Sequence, residues 1–486
     1  MKAYLEKFKN SLQGLTYKQI IALIILAAAD VFVIAAPYYI KNIIPNLHTY
    51  LNISEDQVAR LTAIIGWVTL VTQLPGGFLA NKFSSRWLLW SAVFSTGAIT
   101  VWFGITILNA KSQSSDALFG QYATIWGLWG VSSTLVFWTP LWKLVSQQTT
   151  KQNQGLAYGI QGTANGIIGL FLVFLLGLLI TNVWSPKVVG TDQAQLPFAV
   201  YAFCIAGFLI LVSFLVLFMV PELPMEKNKE KMSWSRVKKT ILQVFKAMKN
   251  WKLWGLSVFL MGMYTFQSVF AYYLVQLMNN AFLAPAILVA VLGGIRTYGL
   301  RSLVSSFIGR WADKFRSYIL FLLIATGIGI IVVGAIILTG YAAPDLNGLT
   351  AATYTKTSTD LFIIVLTSTL FIFAGVLSWA MVTLRYAQIG EIEIEKNSYA
   401  SSVGVLSFIG FSTDAWLYEV TGAVGKAYTA KGATNTSVVG YQIILVICLS
   451  IALLGVLAGL AVYISNVKEL KRLGKTNHRW RTLENA

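Results

Sequence analysis

The chain has 486 residues, of which 56% are hydrophobic and 12% charged, and its formal net charge is +18. A soluble domain carries roughly twice that charged fraction, so an ordinary water-soluble globule is excluded. The positive charge invites a nucleic-acid reading, but a membrane chain collects Lys and Arg in its cytoplasmic loops, which accounts for the same excess.

A membrane-crossing helix needs roughly 20 apolar residues, because hydrocarbon offers the backbone no other hydrogen-bond partners. The apolar runs here reach that length and lack period-2 alternation, which rules out a barrel. No small-residue cleavage site follows the first run, so it stays as the first helix. In chain order the spans fall at 18–42, 57–80, 86–109, 118–146, 155–183 and 197–220, then at 253–278, 284–308, 317–341, 359–386, 398–424 and 438–465. The fold class expected is an all-α polytopic membrane protein. It has twelve transmembrane helices in two pseudo-symmetric six-helix halves.

Charge orients these spans. With a cytoplasmic N-terminus, the inner segments hold Lys2, Lys7, Lys9, Lys18, Lys82, Arg86 and Lys151, nine basic residues in 227–252, Arg310, Lys314, Arg316, Lys396 and six basic residues after 466. The outer loops hold Lys41, Arg60, Lys111, Lys187, Lys356, Lys426 and Lys431. The bias predicts both termini in the cytoplasm of a multi-pass cell-membrane protein. Residues 1–220 form the N-terminal half, 221–252 a basic cytoplasmic linker, and 253–486 the C-terminal half with a short basic tail. In the linker Trp234, Val237, Ile241, Phe245 and Met248 recur at helical spacing among lysines. That suits an amphipathic helix on the inner leaflet or a solvated connection.

The halves repeat a loop. After the second span comes Gly77-Phe-Leu-Ala-Asn81-Lys-Phe-Ser-Ser-Arg86, and after the eighth comes Gly309-Arg-Trp-Ala-Asp313-Lys-Phe-Arg316. Small residues there let helices approach, and the short polar residue can accept bonds from helix amides. This repeated pattern, with Gln73-Leu-Pro-Gly-Gly77 before it, resembles the signature of the major facilitator superfamily over nearly the whole chain. In the first copy Asn81 stands where that family usually has Asp. The resemblance implies alternating access around a site near the bilayer midplane, with Gly77, Asn81, Arg86, Gly309, Asp313 and Arg316 as gating-loop residues.

A narrower likeness is to the branch of organophosphate:phosphate antiporters and anion:cation symporters. Its fourth helix often ends Trp-x-Pro-x-x-basic with a Gly twelve residues later, and here Trp138-Thr-Pro140-Leu-Trp-Lys143 precedes Gly155. The likeness places Lys143 as a contact for an anionic substrate. Two positions depart from the branch. Asp30 is followed by Val31 rather than Arg, and Asn165 lies near the place of a substrate-binding His in the fifth helix.

Charges buried in hydrocarbon cost about 2.5–3.5 kcal/mol each and persist where a partner, a wet cavity or a function compensates them. Asp30 lies ~18 Å along the first helix from Lys18 and near its midplane. It reads as a proton site, with a structural polar contact as the alternative. Asp414, in Gly410-Phe-Ser-Thr-Asp414-Ala-Trp416, is the second candidate for proton coupling, and the sequence does not rank the two. Arg296 sits in the middle of the eighth span and is the favoured anion ligand. Arg301 is free to snorkel to the interface. Lys143 and Arg385 occupy comparable places near the inner ends of the fourth and tenth spans. There they either line an inward cavity or snorkel. Trp138, Tyr264, Gln267 and Asn165 complete the expected substrate contacts, with Trp67, Tyr272 and Trp379 as further cavity walls; lipid-facing or interfacial placement is the equal alternative for Trp67, Trp138, Tyr264, Gln267, Tyr272 and Trp379. Glu391, Glu393 and Glu395 read as a solvated acidic turn, and Glu419 as interfacial. The glycines at 155, 159, 162, 166 and 169 form one stripe that suits close helix packing.

Cys204 and Cys448 lie inside apolar runs, His48 in a loop and His478 in the tail. No spacing for a metal or disulfide appears, and no cofactor is expected. Catalytic motifs such as HExxH, GxSxG or a nucleotide loop are missing, so the chain is not expected to be an enzyme or a primary pump. The reading that results is a secondary active transporter of a small organic anion such as a carboxylate, sugar acid or phosphorylated metabolite. It would work by proton symport or exchange. A proton-coupled drug exporter is the alternative, and an intramembrane enzyme or receptor ranks below it. The partners expected are that solute and the lipid bilayer, with no nucleic acid, and the chain reads as a monomer.

Overall fold

A computed structural model describes residues 15–44, 46–148, 154–184, 195–222, 248–312, 315–344, 354–392, 399–431, 433 and 435–474. Among the described residues there are twelve long helical passes. They are α1 (Tyr17–Ile43), α2 (Glu55–Lys82), α3 (Ser85–Leu108), α4 (Ser115–Thr134 and Trp138–Gln147), α5 (154–184) and α6 (Gln195–Met219). The second set is α7 (Trp251–Ala281), α8 (286–312), α9 (Tyr318–Ala342), α10 (Ser358–Leu384), α11 (Tyr399–Gly410 and Thr413–Ala427) and α12 (Val438–Arg472). The fold is the all-helical one expected, with a pass at every span.

Eight of the passes are long and apolar enough to cross a membrane by length and composition alone. The other four are α2, α4, α8 and α11. Helix α2 opens on Glu55 and Asp56 and contains Pro75. The other three change geometry part-way along. Pro140 lacks the N–H that would bond the carbonyl one turn earlier, and α4 is interrupted just before it, at 135–137. Helix α8 has a π-helical turn at Ile295–Gly299, and α11 breaks at Phe411–Ser412. These interruptions carry the polar residues considered below, as irregular backbone at membrane depth must be sheltered by protein or line a cavity.

The chain divides into two compact units. One comprises 1–40, 49–53 and 71–228, and the other 41–48, 54–70 and 229–486. In the first unit an aromatic cluster forms the core. Phe103 meets Tyr122, Trp126, Trp129 and Phe198 edge-on, with ring centroids 5.0–6.1 Å apart. Edge-to-face contacts of this kind add to the burial of the rings themselves. In the second unit α7 crosses α12 at Gly262 and Gly455. A Cβ on Gly262 would lie 2.9 Å from the Gly455 Cα, so only glycine permits this approach.

Two sequence expectations are corrected. Glu391 is not solvated: it is buried, and it accepts hydrogen bonds from the Ser317 hydroxyl and the Tyr318 amide at the start of α9. A carboxylate suits the positive, amide-rich end of a helix. The first unit has a matching arrangement, in which Glu222 accepts from the Ser84 hydroxyl and from the Ser85 amide at 2.6 Å. Lys41 is not a loop residue: it lies in the last turn of α1 and is buried. Glu419 is exposed. Of the glycine stripe in α5, a Cβ on Gly162 would meet nothing within 4 Å, so close packing does not explain that position. Glu393, Glu395, the amphipathic linker pattern up to Phe245, and the basic tail beyond Gly474 lie outside the described residues.

Candidate functional site

The second unit gathers polar side chains around an interruption in α7. The helix runs from Trp251 to Gln267, turns out of line at Ser268, and resumes at Val269. Such a turn releases a carbonyl from the helical ladder. The Phe266 carbonyl accepts a hydrogen bond from Arg296 Nη2 at 2.6 Å. Arg296 is 3% exposed and its guanidinium also stacks on Phe371, 5.4 Å from the ring centre. Gly375 makes room for it, since a Cβ there would stand 2.8 Å from Arg296 Cγ. Trp379 Nε1 donates to the Arg296 carbonyl at 2.6 Å, and the Arg301 guanidinium lies 5.6 Å from the same indole. Trp379 thus contacts the backbone of Arg296 and the side chain of Arg301.

Four more expected residues lie in this unit. Gln267 accepts a hydrogen bond from the Ser378 hydroxyl of α10. Tyr264 donates to Asp414 Oδ2 at 2.7 Å and packs its ring against Phe411, 4.7 Å between centroids. The half-buried Arg385 guanidinium covers Phe411 at 5.3 Å and Tyr386 at 5.0 Å. Among the described residues it has no carboxylate partner. Tyr264, Gln267, Arg296, Arg385 and Asp414 thus belong to one unit, linked through α7, α8, α10 and α11.

The same unit holds two charged residues that sequence reasoning did not select. Lys41 Nζ lies 4.0 Å from the centre of the Tyr418 ring and 6.0 Å from that of Tyr272. Such cation–π contacts favour a buried ammonium. Its charge also acts on Asp414. Glu55 is 2% exposed, and its Oε2 accepts from the Tyr441 hydroxyl at 2.8 Å and the Thr436 amide at 3.1 Å. Asn280 donates to the Tyr441 hydroxyl at 2.9 Å. The signal that could have found them was their position. Each stands at the extreme end of an apolar run, where charge is ordinarily interfacial and passes without remark. The backbone of α11 is in contact here as well, because a Cβ on Gly66 would be 2.2 Å from the Asp414 carbonyl oxygen.

The first unit contains Asp30, Asn165, Trp138 and Lys143. Asp30 is fully buried, and its Oδ2 accepts from Asn165 Nδ2 at 2.6 Å and from Gln161 Nε2 at 3.1 Å. The two amides are one helical turn apart on α5, so both reach one carboxyl on α1. Asn165 Oδ1 has no hydrogen-bond partner among the described residues. Trp138 starts the second piece of α4, stacked edge-on against Phe137, and Lys143 is half-buried one turn further. Of the gating-loop residues, Arg86 is half-buried and its amide lies 3.4 Å from Glu222, while Arg316 is exposed. Gly77, Asn81 and Gly309 lie on helical backbone whose side-chain surroundings are outside the description, and Asp313 lies outside the described residues.

Residues 20–413 match the Major Facilitator Superfamily. The chain belongs to that superfamily. A relative from Mycoplasma pneumoniae, whose name carries no activity, is 60% identical over 480 residues, spanning 98% of each chain. The inner membrane protein YihN of Escherichia coli K12 is 21% identical over 402 residues, 82% of this chain and 84% of that one. Among solved structures, a bacterial homologue of the human lysosomal transporter Spinster, inward-facing and unoccupied, superposes with a TM-score of 0.62. It covers 93% of this chain and 99% of its own at 12% identity, a likeness of fold. The superfamily member described here is a multi-pass membrane transporter with a small-molecule substrate, and it is not an enzyme.

Proposed function

We propose that the chain is a secondary active transporter of a small organic anion, nearest in kind to the anion-carrying branch that its fourth helix resembles. The observation that carries this reading is Arg385. It is a half-buried guanidinium held between two aromatic faces with no carboxylate partner among the described residues. A planar cation that rests on aromatic rings, with no carboxylate partner among the described residues, is suited to a carboxylate or phosphate. Arg296 has a supporting role in this reading. Its hydrogen bond to the Phe266 carbonyl holds the interrupted backbone of α7, so it shapes the site that Arg385, Tyr264 and Gln267 line. Within the first unit, Lys143 and Trp138 are the residues proposed to meet the solute. Both termini lie in the cytoplasm, following the Lys and Arg bias, and transport is by alternating access with proton symport or exchange.

Thermal stabilisation of the purified chain by a panel of solutes tests this, since a ligand that binds the folded state stabilises it by mass action. The panel holds carboxylates, sugar acids, phosphorylated sugars, neutral sugars, nucleosides and lipophilic cations. At least one class of anion is expected to stabilise the parent, with apparent affinity about tenfold weaker in Arg385→Gln and largely kept in Arg385→Lys. Stabilisation by neutral solutes or lipophilic cations alone would overturn the anion reading.

A further inference from the structure

A groove of about 410 Å³ opens where the end of α12 passes the start of α7, lined by Lys252, Ala461, Ile464, Ser465, Lys468, Glu469 and Arg472. Lys252 pairs with Glu469 at 2.5 Å. That leaves Lys468 and Arg472 as a net excess of positive charge at its rim, both exposed. The groove also lies at the amino end of α7, where unsatisfied amides and the helix dipole favour an anion, although the Asn250 side chain already accepts from the Lys252 amide at 3.0 Å.

The chemistry changes abruptly along α12. Towards the membrane interior the same helix exposes Leu453, Leu457, Leu460 and Ile464. On α7, Trp251 and Trp254 are exposed in the same first turn as the groove residue Lys252, and Trp254 Nε1 donates to the Met248 carbonyl at 2.7 Å. Exposed tryptophan marks the boundary between headgroups and hydrocarbon. The groove therefore combines a cationic rim, an indole belt and an apolar track running inward from it. A soluble anion would use only the rim.

We infer that this groove holds the phosphate of an anionic glycerophospholipid, with its acyl chains along the leucine face of α12. The site is separate from the residues assigned to substrate, and it stands whether or not the substrate is an anion. The bound lipid would tie the last helix of the chain to the first helix of its half.

The test uses the full chain in neutral detergent, with thermal stability read against added phosphatidylglycerol, phosphatidylcholine or inorganic phosphate. Phosphatidylglycerol is expected to stabilise the parent and phosphatidylcholine far less. Lys468→Gln with Arg472→Gln should weaken the response to phosphatidylglycerol about tenfold, given what each basic residue contributes at an anionic surface. Lys426→Gln with Lys431→Gln, which removes two basic residues from the α11–α12 region, should leave it unchanged. Glu469→Gln removes the acid from the groove and should strengthen the response, which keeps the proposal testable if the double variant folds poorly. An unchanged response in the double variant overturns the inference. So does equal stabilisation by both lipids, which would mean apolar contact alone. Stabilisation by inorganic phosphate but not by phosphatidylglycerol would assign the groove to a soluble anion and also overturn it.

Discussion

Two carboxylates deep in the chain, one in each unit, are held in opposite ways. Asp30 is fully buried on α1 and receives two neutral amides, Gln161 and Asn165, from neighbouring α5. Asp414 is half-buried at the start of the second piece of α11, receives the Tyr264 hydroxyl, and feels the charge of Lys41. An amide can turn over, offering its NH2 to a carboxylate or its carbonyl to a carboxylic acid, so one pocket accommodates either protonation state. The ammonium of Lys41 has no such second face. A cation buried beside a carboxylate is stabilised only while that carboxylate is charged, and removing one partner leaves the other uncompensated. For the proton coupling proposed above, Asp30 is then the candidate whose surroundings accept either protonation state and Asp414 the one that feels a fixed charge, although either acid fits the sequence equally well.

The largest effect expected is on coupling. In proteoliposomes Asp30→Asn should still exchange labelled for unlabelled substrate, yet concentrate it at least about tenfold less under an imposed proton gradient, a difference near 1.4 kcal/mol in driving force. Full accumulation by this variant would make Asp30 a structural tie between α1 and α5 and move the coupling role to Asp414. A parent that ignores the proton gradient would instead be an exchanger, a uniporter or driven by another ion.

A smaller effect, on stability, should come from Asp414→Asn. The variant removes the charge that acts on buried Lys41, and a loss of about 2 kcal/mol is expected, less than for breaking a directly bonded buried pair because Lys41 also rests on the rings of Tyr418 and Tyr272. Adding Lys41→Met should recover part of that loss. No recovery in the double variant would show that Lys41 is satisfied by the rings of Tyr418 and Tyr272 alone.

The smallest effect concerns pH and lies outside the spans. His48, in the short helix Leu47–Leu51 between α1 and α2, is 3% exposed, and burial lowers its pKa to about 4 despite a hydrogen bond with Asn435. The unfolded chain binds a proton near pH 6.5 and the folded chain near pH 4, so stability should fall as pH drops through that window. A loss of about 1 kcal/mol is expected by roughly pH 5.5, and His48→Gln should flatten that slope. An unaltered slope in the variant would mean that other groups set the acid response.

Much of this architecture was legible in the sequence because hydrocarbon leaves the backbone so few choices. Each long apolar run had to be a helix, and a structural pass meets every expected span. The residues worth attention were legible too, since Asp30, Arg296 and Asp414 interrupt apolar stretches at a known cost. Their company was not. That Arg296 would hold a freed carbonyl depends on the turn at Ser268, and no proline announces it. Glu391 looked like one of three solvated acids until its proximity to the α9 amides made it a helix cap. Lys41 and Glu55 escaped notice because a charge at the end of an apolar run is ordinarily interfacial.

By itself the sequence determined the helical class, the number of passes and the family, through run length, charge bias and a repeated loop. All three depend on local composition and on the energetics of a chain facing lipid. Only the tertiary structure decided that Asp414 feels the charge of Lys41 while Asp30 meets amides. It also decided that Arg296 bonds a backbone carbonyl while Arg385 rests on two aromatic rings. Those outcomes depend on where helices far apart in the chain come within a few ångströms, and on glycines such as Gly66, Gly262 and Gly375 that allow the approach. Hydrogen bonds and charge pairs fall off over that distance, so a pattern along the chain cannot fix them.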